Sequence, residues 1–264
     1  MIWKALKVDL ARSLANRKTI AILVAIAAFC LASAWESLWA YEFQGSTAVL
    51  VIQFDVLAMD AFKTVMVLLL CGLYAGSFCR DDSSHYLRLI LIRQNVRAYT
   101  CSRFLVNTIA VVAVSVASFY LFAGFLSGFM PISGDVGTRM NSVYYKAAAL
   151  GHPLIYVGMM GLQFGMVAAA CSSIGLVFSA YQTNYFVSIG LGGMSFFAAI
   201  SFIPYGTPFD VLNLVSMFST LPAGYETPQA VMFAWGMIYP AIVIIICAVC
   251  FYRRMEWRTC NGYI

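Results

Sequence analysis

Few side chains in this sequence could do chemistry in an apolar setting, and their spacing narrows what that chemistry is. Of 264 residues, 16 are Lys or Arg and 11 are Asp or Glu, against a background that is 62% hydrophobic. Asp60 and Lys63 stand three apart in a long apolar run. On a helix that spacing lets them pair, which lowers the cost of holding charge near lipid. The pair reads either as a structural ion pair near an interface or as a polar lining of a translocation path. Glu36, set among Trp35, Trp39 and Tyr41 at the end of an earlier apolar run, is the third path candidate. Asp81 and Asp82 stand near the start of the one long polar interruption, which also holds Arg80, Arg88, Arg93, Arg97 and Arg103.

Several chemistries are missing. The sequence has no G-x-x-x-x-G-K-[ST], so it has no phosphate-binding loop of that kind, no H-E-x-x-H for a zinc protease and no G-x-S-x-G elbow. His85 and His152 are the two histidines, both in expected loops, so Ser127 has no histidine base within a span. Cys247 and Cys250 form one lone C-x-x-C inside an apolar run, where a thiol is a small hydrophobe. None of the 8 cysteines falls in an expected outer loop, which argues against a disulfide framework. A proton- or sodium-coupled carrier needs a carboxylate near the bilayer midplane. Asp60 comes nearest, with Lys63 beside it, so energy for any transport is expected to enter from a partner subunit.

These residues are carried by a membrane architecture. Residues 1–18 read as an amphipathic helix, with Ile2, Leu6, Leu10 and Leu14 on one stripe and Lys4, Lys7, Arg12 and Lys18 mostly off it. Six apolar spans follow, at 19–40, 56–79, 104–129, 153–180, 185–203 and 230–252. The first apolar run is too long for a cleaved signal peptide. The segment 204–229 is apolar, too short to cross, and marked by Pro204, Pro208, Pro222 and Pro228, which fits a re-entrant hairpin. Thirteen of the 16 Lys and Arg lie in the first 18 residues, the loop Arg80–Arg103 and the tail after residue 252. The positive-inside rule therefore places both termini and that loop in the cytoplasm. The same rule explains the +5 net charge better than nucleic-acid binding does, and no motif for nucleic acid is present. Gly72 with Gly76, Gly124 with Gly128 and Gly161 with Gly165 repeat at the four-residue spacing of close helix packing.

This order of parts resembles the ABC-2 type permeases, the membrane subunits of ABC exporters. The resemblance rests on the basic amphipathic helix, the acidic-then-basic stretch RDDSSHYLRLILIRQNVRAYTCSRFL, the minimal turn Tyr181–Asn184 and the Pro-marked hairpin before span six. Arg97, Tyr99, Ser102 and Arg103 resemble the family's entry into span three, whereas Ser83, Ser84 and His85 stand where the family usually has Gly-Thr.

The resemblance implies a cytoplasmic coupling helix, here Asp81–Ile92, seated on a separate ATP-binding subunit. Asp81, Asp82 and Ser83 suit its first turn, where carboxylates face the helix dipole. Tyr86, Leu89, Ile90 and Arg93 share one face by their spacing. Asp82, Tyr86, Leu89 and Arg93, together with Asp81, are the docking residues the resemblance points to, with Arg93–Arg103 a basic hinge beyond them. Alternatively the run LRLILI lies on the bilayer, and its β-branched residues weaken its helicity. The fold class expected is thus an all-α, six-span protein of the bacterial cytoplasmic membrane. Its partners would be lipid, a second permease subunit, and ATP-binding subunits that carry ATP and Mg; the chain itself would hold no cofactor and would not be an enzyme. The apolar, aromatic spans suit an amphipathic or lipid-like cargo such as a peptide antibiotic or drug. The rival reading is a membrane scaffold or sensor that transports nothing.

Overall fold

The computed structural model describes residues 9–40, 48–52, 56–57, 60–84, 87, 90–91, 95–132, 152–202 and 229–261. All regular structure among them is helical. Eight helices are named here: α1 (Arg17–Ala40), α2 (Ala48–Val51), α3 (Asp60–Tyr74), α4 (Ser77–Ser83), α5 (Val96–Leu126), α6 (Pro153–Ser179), α7 (Tyr185–Phe202) and α8 (Gln229–Cys260). Six stretches are long and apolar enough to cross a membrane, with α3 and α4 together forming one of them.

α6 is the centre. It is apolar on every side, as a helix surrounded by other helices must be, and 67% of its most apolar window is buried. Pro153 opens it at a position where a missing N–H costs nothing. α5, α7, α8 and α3 pack around it. α7 and α8 lie outermost, each only 22% buried over the same kind of window. Their outward faces carry Phe186, Met194, Phe197, Ile238, Ile242 and Ile245, all more than 45% exposed. In water such a surface would be a liability; against acyl chains it is the expected one.

Close approach is bought by glycine. An added Cβ at Gly161 would lie 3.1 Å from Val116 Cα, and at Gly165 2.9 Å from Val112 Cα, so this pair sets α6 directly on α5. Gly76 leaves room for the Tyr185 ring, whose hydroxyl donates to the Gly72 carbonyl at 3.4 Å. Gly124 and Gly128 meet no neighbouring helix among the described residues. Of the three spaced pairs, one thus builds the α5–α6 seam, one receives a ring and one is open.

A polar clasp crosses the same α5–α6 seam. Asn107 is fully buried; its amide donates to Ser173 at 3.1 Å and accepts from the Ser172 hydroxyl at 2.7 Å. Ser173 has its own acceptor at Ala169 O, whereas Ser172 would lose its acceptor with Asn107. Asn107→Ala is therefore expected to lower stability by about 1 kcal/mol, the usual worth of such an interhelical bond in a membrane. Chemical unfolding in detergent micelles measures this.

Helix ends differ from the expected spans in two places. α5 begins at Val96 rather than 104, so the stretch expected to be a basic hinge is two turns of helix as far as Arg103. α8 runs on to Cys260, so the expected tail after residue 252 is also helical. At 1.5 Å per residue these helices are about 46–48 Å long, more than the roughly 30 Å of a hydrocarbon core. Their polar ends overhang it.

Candidate functional site

The overhanging ends meet the polar residues of α4 at one end of the bundle. There α3 breaks at Ala75–Gly76 and resumes as α4, which carries Asp81 and Asp82. Asp81 pairs with Arg103 of α5; the two side chains are only 11% and 5% exposed. Arg103 also donates to the Tyr74 hydroxyl at 2.9 Å and lies 5.0 Å over the Tyr99 ring. Asp82 accepts from Arg258 of α8 at 3.0 Å, in a pair that is 21% and 14% exposed. The Arg258 guanidinium stacks over Phe78, and Phe78 and Phe104 both pack edge-on against Phe251. Two carboxylates one residue apart thus tie α4 to two different membrane-crossing helices, with aromatic rings filling the angle between them.

The same end receives the N-terminal segment. Residues 9–14 are helical and break at 15–16 before α1. Ser102 donates to Asp9 at 3.3 Å, Leu10 packs against Tyr74 and Val106, and Leu14 packs against the main core. The apolar stripe expected to face lipid turns, at these two leucines, onto the chain itself. Because Asp9 touches α5 and Arg258 touches α4, both sequence extremes of the described chain lie at this end.

The expected site residues fall out as follows. Asp81 is buried and engaged within the chain, so it holds α4 in place instead of offering a free carboxylate to a partner. The expected first turn of a helix 81–92 is instead the last turn of α4, Ser77–Ser83, where the helix dipole disfavours carboxylates and Arg103 and Arg258 offset it. Asp82 is partly exposed. Tyr86, Leu89 and Arg93 lie outside the described residues, as does the hairpin 204–228. Of the run between them, Leu87 is helical and 1% exposed, and Ile90 and Leu91 are helical and packed against the core. Lys63 is fully buried in α3. Asp60 opens α3 and Glu36 lies on α1, their side chains outside the description. Among the described residues no three His, Cys, Asp or Glu gather as metal ligands. Cys247 is buried and Cys250 exposed, and both are free thiols.

Arg103, Arg258, Tyr74 and Tyr99 are central here; the sequence marked Tyr99 and Arg103 only through their resemblance to a family motif, and Arg258 and Tyr74 only as charge and aromatic content. Arg258 pairs with a residue 176 positions away. No helical periodicity announces such a contact.

No protein-family model matches this chain, and no curated protein matches it as a relative. The fold and this end of the bundle define an all-helical, multi-pass membrane architecture with a polar, arginine-rich cap.

Proposed function

We propose that this protein is the permease subunit of an ATP-driven ABC transporter, an exporter of an amphipathic or lipid-like substrate, working with a second permease subunit and with separate ATP-binding subunits. The observation that carries the reading is the double tie of α4. α4 is the end of the second span, and because Asp81–Arg103 clamps it to one spanning helix and Asp82–Arg258 to another, it passes any push on it into both. That is what a coupling helix has to do. The sequence adds a reason for such a device, since it carries no P-loop through which this chain could use ATP.

In this reading the arginine-rich end is cytoplasmic, following the charge asymmetry of membrane proteins. Residues 1–18 sit at that interface, and the hairpin 204–229 closes the opposite side. Docking falls to Asp82, Tyr86, Leu89 and Arg93, while Asp81 holds α4, which bears Asp82 and leads into the stretch with the other three. Ile90, expected on one face with Tyr86, Leu89 and Arg93, packs inward against the core with Leu87 and Leu91, so it is removed from that face. Glu36, Asp60 and Lys63 remain the residues proposed for the path.

The test keeps the clamp and alters the docking face. Leu89→Asp with Arg93→Glu is expected to reduce co-purification of an ATP-binding subunit with the tagged chain while the chain itself stays monodisperse. Unchanged recovery of that subunit would remove the docking assignment.

A further inference from the structure

One pocket at the polar end borders the clamp at Arg258 and opens between α8 and the α6–α7 turn. It has a volume of about 280 Å³ and is lined by Ala180, Tyr181 and Thr183 of the α6–α7 turn and by Arg254, Trp257 and Arg258 of α8. That is slightly below the roughly 300–1,000 Å³ of pockets that enclose a drug-sized molecule, so it suits a headgroup better than a whole amphiphile. The Arg254 guanidinium lies between two rings, 4.2 Å from the centre of Trp257 and 4.7 Å from that of Tyr181. Arg258 spends one nitrogen on Asp82. Arg254 Nε and Arg258 Nη1 are shielded from solvent and meet no acceptor among the described residues.

Two guanidinium groups line one pocket, each keeping an N–H with no acceptor among the described residues, and such donors are costly unless something supplies one. The acceptor must be anionic, since the lining offers two guanidinium groups. Its surroundings indicate where it comes from. Phe178 at the end of α6, Phe186 at the start of α7, and Ile246 and Val249 on α8 are 46%, 82%, 57% and 47% exposed. These are outward apolar positions one to two turns from the pocket, where acyl chains lie. Trp257 and Tyr181, 45% and 58% exposed, are the aromatic types that settle at the headgroup level. Basic pockets between membrane helices take anionic headgroups for these reasons.

We propose that this pocket binds the phosphate of an anionic phospholipid from the adjoining leaflet, with Arg254 and Arg258 as donors and Trp257 and Tyr181 holding Arg254 in place. The site needs only the membrane setting and is independent of the transport reading. Because Arg258 also holds Asp82, a bound phosphate would stiffen the α8 side of the clamp.

The experiment uses the full chain in detergent micelles, titrated with phosphatidylglycerol, with phosphatidylcholine or with inorganic phosphate. Bound lipid is counted by native mass spectrometry and thermal stability is followed. Phosphatidylglycerol is expected to bind and raise Tm, and the other two additions to do neither. Arg254→Gln weakens that binding about fivefold, the worth of one interfacial arginine, while Arg253→Gln, which removes the neighbouring exposed charge, leaves it near the wild-type value. Arg254→Lys keeps most of it. Equal loss in Arg253→Gln and Arg254→Gln would reduce the effect to diffuse attraction and overturn the site. So would stabilisation by inorganic phosphate equal to that by lipid, or by soluble polyglutamate in place of lipid. If Arg254→Gln gives no monodisperse protein, the lipid and phosphate arms on the unmodified chain decide the claim.

Discussion

Arg103→Leu is expected to cost about 3–5 kcal/mol, the usual penalty for stranding one member of a buried ion pair. Asp81 would keep a carboxylate at 11% exposure with its partner gone, and the Tyr74 hydroxyl would lose its donor. Against a total stability of roughly 5–15 kcal/mol this is enough to deplete folded protein from the membrane. The double variant Asp81→Leu/Arg103→Leu should recover most of the loss, because neither charge is then buried alone. Fluorescence-detected size exclusion after a heating series compares the three proteins. A single variant as stable as wild type would show that the pair is incidental. A double variant no better than the single would show that Arg103 matters through packing on Tyr99 and Tyr74 instead.

The second large effect is steric. A Cβ at Gly175 would lie 2.2 Å from the Ser188 backbone oxygen and 3.3 Å from Ala75 Cβ. Backbone cannot rotate away as a side chain can, so Gly175→Ala must push α7 from α6. Overpacking of this kind costs about 1–3 kcal/mol. The comparison is internal, since Gly190 on α7 has open space where its Cβ would go. Gly190→Ala keeps the packing and gains helix propensity, so its stability should stay level or rise by up to about 1 kcal/mol. Midpoints of unfolding for the two variants, measured side by side, should move apart. If Gly175→Ala matches Gly190→Ala, the close contact between α6 and α7 is not as described.

How legible all this was in the sequence depends on the length scale. Apolar runs of twenty or so residues are unambiguous, because no water is available to a backbone in lipid and only complete helices satisfy it. The six spanning helices follow from that alone. Their ends do not. Val96–Arg103 reads as a charged loop by composition, yet Arg103 is buried against Asp81, Tyr74 and Tyr99, and that burial lets the helix begin early. The stretch after residue 252 reads as a tail, yet Arg254 and Arg258 find aromatic and acidic partners that extend α8. In both places tertiary partners override a local signal. Glycine spacing was equally blind to partners: Gly161–Gly165 and Gly124–Gly128 share a pattern on different helices, and only the first meets a neighbour. Of the polar residues singled out, Asp81 was seen as significant for its charge, but whether it faces a partner or the interior is a matter of which side of α4 meets Arg103.

As the proposed permease subunit, the protein receives work from an ATP-hydrolysing partner through α4 and the segment after it. The most direct test of this is purification of the tagged full-length chain from its native membrane in mild detergent, followed by identification of what accompanies it and an assay of vanadate-sensitive ATP hydrolysis. A P-loop subunit is expected to co-purify, hydrolysis to require it, and Leu89→Asp/Arg93→Glu to remove both while leaving the chain folded. A chain that comes through alone from a gentle preparation, or one that hydrolyses ATP with no partner present, would contradict this reading.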